Sequence, residues 1–396
     1  MRTLARAQAE LGADVTVLCV NHASSEGEDV TWRRFTRTPT AVERDGAVRV
    51  VRLGRVAEVA KLDVCPGAAR ALAAMRREPP DILHLHVPNP TLLLALCASP
   101  ATAPLVVTYH SDVVRQHLRG AVLRPFERIV LSRAGAILCT SAAYARGSAI
   151  LARHLERIHI VPHGIELEPF SAPARAALAE RDRLLREHAG PLWLAVGRLV
   201  YYKGLRSAIE ALASVPGTLL VIGDGPLRGE LGRRADDMGV GARVRWLGHV
   251  PRDTLVGAYH AATALWFPSD ARSEAFGLVQ VEAMASGCPV INASIPNSGV
   301  PWVSVHGESG VTIPVGDSAA LAEAALALYR DRSLRQGLAD GARRRAAAFG
   351  HRAMAARTLA VYRDVLAGGP VPGDAADRAW RLSSDPPLAA DRREGR

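Results

Sequence analysis

Two glutamates, Glu274 and Glu282, stand eight positions apart in the stretch ALWFPSDARSEAFGLVQVEAMASGCPVI, Ala264 to Ile291. Paired carboxylates can divide acid and base work between them when their environments differ. Eight residues across a loop-to-helix transition do not fix their separation, so the pair is a candidate for that chemistry or for gripping a hydroxylated ligand. The residues around them say where they must sit. Ala264–Phe267 reads as a strand that breaks at Pro268, a polar loop delivers Glu274, Phe276 and Gly277, and Val279, Glu282, Ala283 and Ser286 follow at helical spacing until Gly287 and Pro289. Loops at the carboxyl ends of parallel strands are where open α/β sheets bind ligands.

Cations come from a second strand end. In LAVGRLVYYKG, Leu194 to Gly204, a strand closes at Gly197 and is followed by Arg198 and Lys203. An arginine fork and a lysine point charge could hold a diphosphate; the plainer reading is two solvated surface charges. Lys203 weighs against that reading, because the chain has only two lysines, Lys61 and Lys203, among 49 basic residues. A third strand end, VIGDGPLRGE, carries Gly223 and Gly225 before a helix start, which suits an anion or a tight turn without a ligand. It departs from the dinucleotide fingerprint, since Gly229 falls one residue late and Pro226 interrupts.

In the first half, TYHSD ends a strand with His110 and Asp112, either of which could hydrogen-bond a substrate near a reacting bond. His84 and the HLHVPNP segment form a similar strand end that could line an acceptor site. Arg115, Arg119, Arg124, Arg128 and Arg133 recur every four or five residues beside Val122, Leu123, Phe126, Ile129 and Val130. Such a basic amphipathic helix can lie on an anionic membrane surface or be an ordinary helix of an arginine-rich protein. No HExxH, DxD or paired Cys/His spacing points to a metal, and no GxxxxGK[ST] loop points to an ATPase or kinase.

The elements that must position these residues alternate. Strand-like runs lie at Val15–Val20, Val48–Leu53, Ile82–His86, Leu105–Tyr109 and Ile137–Thr140, with helical patterns at residues 1–12, 68–77, 115–133 and 142–155. The second half repeats the rhythm at Leu192–Val196, Leu219–Ile222, Val244–Leu247, Ala264–Phe267 and Val290–Ile291. Alternation of this kind predicts parallel sheets wound on both faces, an α/β class. A doubly wound domain opens on a strand and a glycine-rich turn, whereas this chain opens on a helix. The expectation is a first domain without its first strand, with a start placed upstream as the simplest account.

With 396 residues and 48% hydrophobic composition, the chain suits two domains of about 150–200 residues. No apolar run reaches the roughly 18–20 residues of a membrane span, and Gln8, Glu10 and Asp14 interrupt any signal-peptide pattern. Five scattered cysteines fit a reducing compartment. The net charge of +10 comes from dispersed arginines without interleaved aromatics, which total 5%, so nucleic acid is not the expected partner. A phosphorylated substrate or an anionic membrane surface suits the charge better.

At these motifs a family resemblance becomes specific. The order GRLVYYKG, GDGP, LGHV, FPSDARSEAFGLVQVEAMASGCPVI and GVTIPVGD resembles retaining glycosyltransferase family 4, and Glu274 and Glu282 match its EX7E signature. QAELGADVTVL, DILHLH, VVTYHSD, AILCTSAAY and IVPHGIE occupy the corresponding order, so the likeness covers about residues 1–366. The resemblance implies the GT-B fold, two Rossmann-like doubly wound parallel-sheet domains facing a cleft. It implies an acceptor-side domain over 1–165, a linker over 166–189, a nucleotide-sugar domain over 190–350, a helix over 351–366 crossing back to the first domain, and a disordered tail over 367–396.

The implied activity is metal-independent transfer, with retention, of a hexose from a nucleotide-diphosphate sugar to a saccharide or lipid-linked saccharide. Cell-envelope glycan assembly is the implied setting. Asn292–Asp317 is similar to members that move mannose or rhamnose, so GDP-mannose comes first and a UDP-sugar second. His110, Arg198, Lys203 and Glu274 would be the catalytic set. Gly197, Arg198, Lys203, Gly223, Gly225, Val250, Glu274, Phe276, Gly277, Leu278, Val279 and Glu282 would line the donor. By the resemblance, Arg198 and Lys203 hold the diphosphate, Glu274 the sugar, Glu282 the ribose, and Val250 lies near the base, with no cofactor beyond the donor. The alternatives are an epimerase-like enzyme of the same fold and a truncated protein that binds nucleotide sugar without turnover. The expected location is the cytoplasm, at most peripheral to the membrane.

Overall fold

The computed structural model describes residues 1–24, 29, 31, 33, 35–59, 62–98, 103–112 and 117–368. They form two compact units. One comprises Met1–Gly164 with the segment from His351, and the other Ile165–Gly350. The expected tail over 367–396 lies almost wholly outside the described residues. Among the described residues, no helix is long and apolar enough to cross a membrane.

In the first unit, β1 (Thr16–Val20) pairs parallel with β3 (Val48–Leu53), and β2 (Ala41–Asp45) closes antiparallel on β3. β4 (Ala57–Val59) and β5 (Leu62–Val64) make a separate hairpin. A parallel sheet follows in the order β6 (Leu83–Val87), β7 (Leu105–Tyr109), β8 (Ala134–Cys139) and β9 (Ile158–Ile160). β7 is buried along its whole length, as a central parallel strand covered on both faces must be. Leu4 and Ala7 of the helix Arg2–Glu10 join Val106, Ala136 and Leu138 in one core cluster, while Ala5 joins Val48 and Val50 in another. That helix therefore packs against both sheets. The helix His351–Leu366 adds Met354, Ala355 and Val361 to the first cluster and belongs to this unit.

The second unit carries a six-stranded parallel sheet in the order β12 (Val244–Gly248), β11 (Thr218–Ile222), β10 (Leu192–Val196), β13 (Ala264–Phe267), β14 (Val290–Ala293) and β15 (Gly310–Ile313). In chain order that is 3-2-1-4-5-6, the doubly wound arrangement, with the direction of winding reversing between β10 and β13. Trp193 and Trp266 stack at 5.1 Å across that central pair, and both are buried. The aromatic faces lock the two strands whose ends will carry the site. Residues 166–189, expected as linker, fold as helices Glu168–Ser171 and Arg175–Glu187, and the second packs against the helix Arg252–Ala261.

Some elements departed from their sequence patterns. Ala41–Asp45 (AVERD) is a largely exposed edge strand, so no apolar alternation betrays it. β4, β5 and β9 are three residues long, too short for a period to register. The helix expected over 142–155 ends at Gly147 and gives way to short turns at Leu151–Arg153 and Leu155–Arg157.

Candidate functional site

Lys203 and Glu274 come together at the winding reversal of the second unit. β10 ends at Val196, and a loop through Gly197 and Arg198 leads to the short turn Tyr201–Lys203. β13 ends at Phe267, and the loop beyond it carries Glu274. Lys203 Nζ lies 2.5 Å from Glu274 Oε2, with side chains only 13% and 11% exposed. Ser269 donates its hydroxyl to the same carboxylate oxygen at 3.3 Å, and Ser298 donates to the Glu274 carbonyl. The ammonium also sits 5.0 Å from the centre of the Phe267 ring, a cation–π distance.

The turn reaches this place because residue 204 has no side chain. Gly204 has φ +62°, and a Cβ there would meet the Pro268 carbonyl oxygen at 1.8 Å. The same logic gives Gly223 and Gly225 a structural task. A Cβ at Gly223 would strike the Gly197 carbonyl oxygen at 2.2 Å, and one at Gly225 would strike Leu199 backbone at 2.6 Å. The close approach they permit is therefore made by the chain's own loop 197–199, with Leu199 N–H donating to the Asp224 carbonyl at 2.9 Å. Arg198 projects from that loop as an exposed side chain.

Beyond Glu274 the expected donor residues divide. Gly277 and Leu278 open the helix Leu278–Ala285, whose unpaired N–H groups suit an anion. Leu278 is exposed and Val279 half-buried, whereas the Phe276 ring turns into the core edge-on to Phe349 at 5.7 Å. Phe276 thus supports the loop with its side chain and offers only backbone outward. Glu282, one turn into the helix, accepts a hydrogen bond from Tyr259 Oη at 2.8 Å. Burial pushes its carboxyl above the ordinary value, against the Tyr259 bond. Val250 follows β12 and is half-buried between exposed neighbours. Asp270, which the sequence did not single out, is also pushed up by burial, and its N–H donates to the Tyr202 carbonyl at 3.0 Å.

In the first unit His110 stands just past β7, its N–H donating to the Val87 carbonyl at 2.9 Å. It is part of a stack of four histidines: His84 on His86 at 4.4 Å, His86 on His110 at 5.2 Å, and His110 on His163 at 5.1 Å. Burial, before any neighbouring charge, depresses the four imidazoles, His110 to about 4 and His84 and His163 to about 3, so the stack is neutral at pH 7. The alternation HLH was the signal for two of them, since residues two apart share one face of a strand. His163, after β9, had no comparable signal. Asp112 is tied up structurally: Tyr109 and Ser148 donate to its Oδ1 at 2.7 and 2.8 Å, and its own N–H donates to Tyr144 Oη. Of the basic helix, His117–Arg133 is helical and Arg124, Arg128 and Arg133 are exposed. Arg115 lies outside the described residues, as does the Arg119 side chain.

Known proteins resemble this chain in sequence and in fold. The family described as "glycosyl transferases group 1" matches residues 178–345, and the "glycosyl transferase 4-like domain" matches residues 1–164. D-rhamnosyltransferase WbpZ of Pseudomonas aeruginosa is 32% identical over 62% of this chain and 63% of its own length. The O-antigen chain mannosyltransferase C of Escherichia coli is 30% identical over 67% of this chain and 70% of its own length. Among solved structures, sucrose-phosphate synthase of Thermosynechococcus elongatus superposes with a TM-score of 0.74, covering 93% of each chain at 24% identity. Two family models over the two units, and relatives of this identity and coverage, place the sequence: the chain belongs to the glycosyltransferases of the GT-B fold.

Proposed function

We propose that this glycosyltransferase is retaining and moves a hexose, mannose before others, from a nucleotide-diphosphate sugar to a saccharide or lipid-linked saccharide acceptor. The observation that carries the reading is the buried Lys203–Glu274 pair at the winding reversal of a doubly wound sheet, where such folds hold ligands. An ammonium and a carboxylate held together out of water suit a donor that brings both a diphosphate and sugar hydroxyls. Lys203 and the exposed Arg198 take the diphosphate, and Glu274, released from sole pairing, accepts from the sugar. Glu274 and Glu282 form the EX7E motif in this reading, and Glu282 with Val250 serves the nucleoside. The names of the two relatives, a rhamnosyltransferase and a mannosyltransferase, favour a 6-carbon sugar of the mannose type.

In the reaction as proposed, the bond from the anomeric carbon to the departing phosphate breaks while the acceptor oxygen attacks the same face. The departing phosphate oxygen takes the acceptor's proton. Negative charge grows on the diphosphate, and Arg198, Lys203 and the helix N-terminus at Gly277–Leu278 stabilise it with groups already in place. No metal enters a step. His110 is the catalytic residue that the first unit supplies in this reading. Arg124, Arg128 and Arg133 offer a cationic face to an anionic membrane surface at the cytoplasmic side.

A panel of GDP- and UDP-sugars tests the reading. A donor that binds the folded chain raises its melting temperature, and the same donor should release its nucleotide only when a saccharide acceptor is added, giving a product with the donor's anomeric configuration. Inverted product, or isomerised sugar without an acceptor, would sink the proposal.

A further inference from the structure

His110 has both ring nitrogens engaged: Nε2 lies 2.9 Å from His86 Nδ1, and Nδ1 lies 3.3 Å from His163 Nε2. A ring so occupied meets a substrate only by exchanging one of these bonds, and the two are not equal. The shorter goes to a side chain that is itself fixed. His84 and His86 share one face of β6, and His84 stacks on His86 at an interplanar angle of 28°. His84 is in turn held at Nδ1 by Tyr362 Oη and at Nε2 by Thr108 Oγ1 at 2.7 Å. The His110 backbone is bonded to Val87, the next residue of the same strand. His86 and the main chain of His110 are thus parts of one rigid element. The bond to His163 comes from the loop after β9 and is 0.4 Å longer than the His86 bond (3.3 against 2.9 Å), near the outer limit for a hydrogen bond.

We propose that His86 is the positioning residue of His110: it holds Nε2, fixes the orientation and tautomer of the ring, and leaves Nδ1 as the atom that exchanges from His163 onto the substrate. A neutral imidazole has one donor and one acceptor nitrogen. Whatever role His86 Nδ1 imposes on His110 Nε2, His110 Nδ1 must play the opposite one. The hydrogen-bonding character shown to substrate is therefore set on β6, one side chain away from the reaction. This inference rests on the reading of the chain as a nucleotide-sugar transferase.

The test combines ¹⁵N-histidine NMR of the full chain, with and without the nucleotide sugar selected above, with transfer kinetics of His86→Leu and His86→Asn. The asparagine amide reaches the position of the imidazole Nδ1; leucine offers no polar atom. In the wild type, His110 shows one neutral tautomer, and donor binding moves its Nδ1 resonance but not Nε2. His86→Leu mixes the tautomers and lowers kcat about tenfold or more, a loss of transition-state orientation of roughly one hydrogen bond, with donor KM changed less than about threefold. His86→Asn restores both. An unchanged His110 tautomer in His86→Leu, a donor-induced shift at Nε2 alone, or an asparagine variant as impaired as leucine overturns the proposal. In a His110→Ala background His86→Leu should cost nothing more, and an additional loss there would mean that His86 acts elsewhere. Should the wild type transfer no sugar, the functional reading fails, while the tautomer in wild type and His86→Leu still decides whether His86 positions the ring.

Discussion

Replacing Lys203 by methionine removes the ammonium that faces Glu274 while keeping a stem of similar length over Phe267. Glu274 is then a carboxylate 9% exposed, left with only the Ser269 hydroxyl on its Oε2 among the contacts described above. Breaking a buried pair in this way typically costs about 3–5 kcal/mol. For a unit of this size that lowers the melting temperature by roughly 10 °C. Adding Glu274→Gln to Lys203→Met removes the buried charge altogether, so the double variant should melt above the single one. Transfer should fall about 10²–10³-fold in Lys203→Met, as when one preorganised charge-stabilising donor is lost. Scanning calorimetry, with nucleotide-release kinetics, measures all of this. A double variant less stable than Lys203→Met would refute the claim that the pair is buried and coupled. Unimpaired transfer would refute its place in the reaction.

Other outcomes are expected of the two units. The first should lose stability on acidification: His110 is depressed from 6.5 to about 4, so its contribution is complete above pH 6.5 and lost as pH falls to about 4. That histidine alone accounts for about 3 kcal/mol, and near-ultraviolet circular dichroism with chemical denaturation at pH 7.5 and 4.5 checks it. Gly204→Ala must displace either the turn or the β13 end, since its Cβ would lie 1.8 Å from the Pro268 oxygen. A stability loss of at least about 2 kcal/mol and weakened donor binding are expected by calorimetry. Reversing Arg124 and Arg128, both exposed, to glutamate should reduce co-sedimentation with anionic vesicles at least about tenfold, at about 1 kcal/mol for each basic residue near the surface. Melting temperature should stay within about 2 °C of the wild type, as surface changes usually do. Undiminished vesicle binding would remove the membrane from the reading.

The sequence by itself determined five of the six strands of the second unit's wound sheet, all but β15, and the strand ends that bear its charges. Apolar runs of two to five residues separated by amphipathic stretches leave few alternatives, and β10, β13 and the helix His351–Leu366 begin and end where their patterns do. The identity of the charged residues was equally legible, because a lysine among arginines and two glutamates around a strand–loop–helix turn stand out in one dimension.

Tertiary structure decided which of them meet. Glu274 pairs with Lys203, 71 positions earlier, and not with Glu282, which is held by Tyr259. No spacing rule spans such distances; the parallel register of β10 on β13 does, by setting two strand ends side by side. The glycines after β11 announce close approach without saying what approaches, and a Cβ at either would strike the chain's own loop 197–199. The histidine stack was hidden more completely. His84, His86, His110 and His163 come from three loops or strand ends, and each alone is an ordinary residue. Only the ordering of β6 to β9 in one sheet collects them, and burial in that company keeps them neutral well below the ordinary imidazole range, because low-dielectric surroundings disfavour the charged ring whatever the sequence around it.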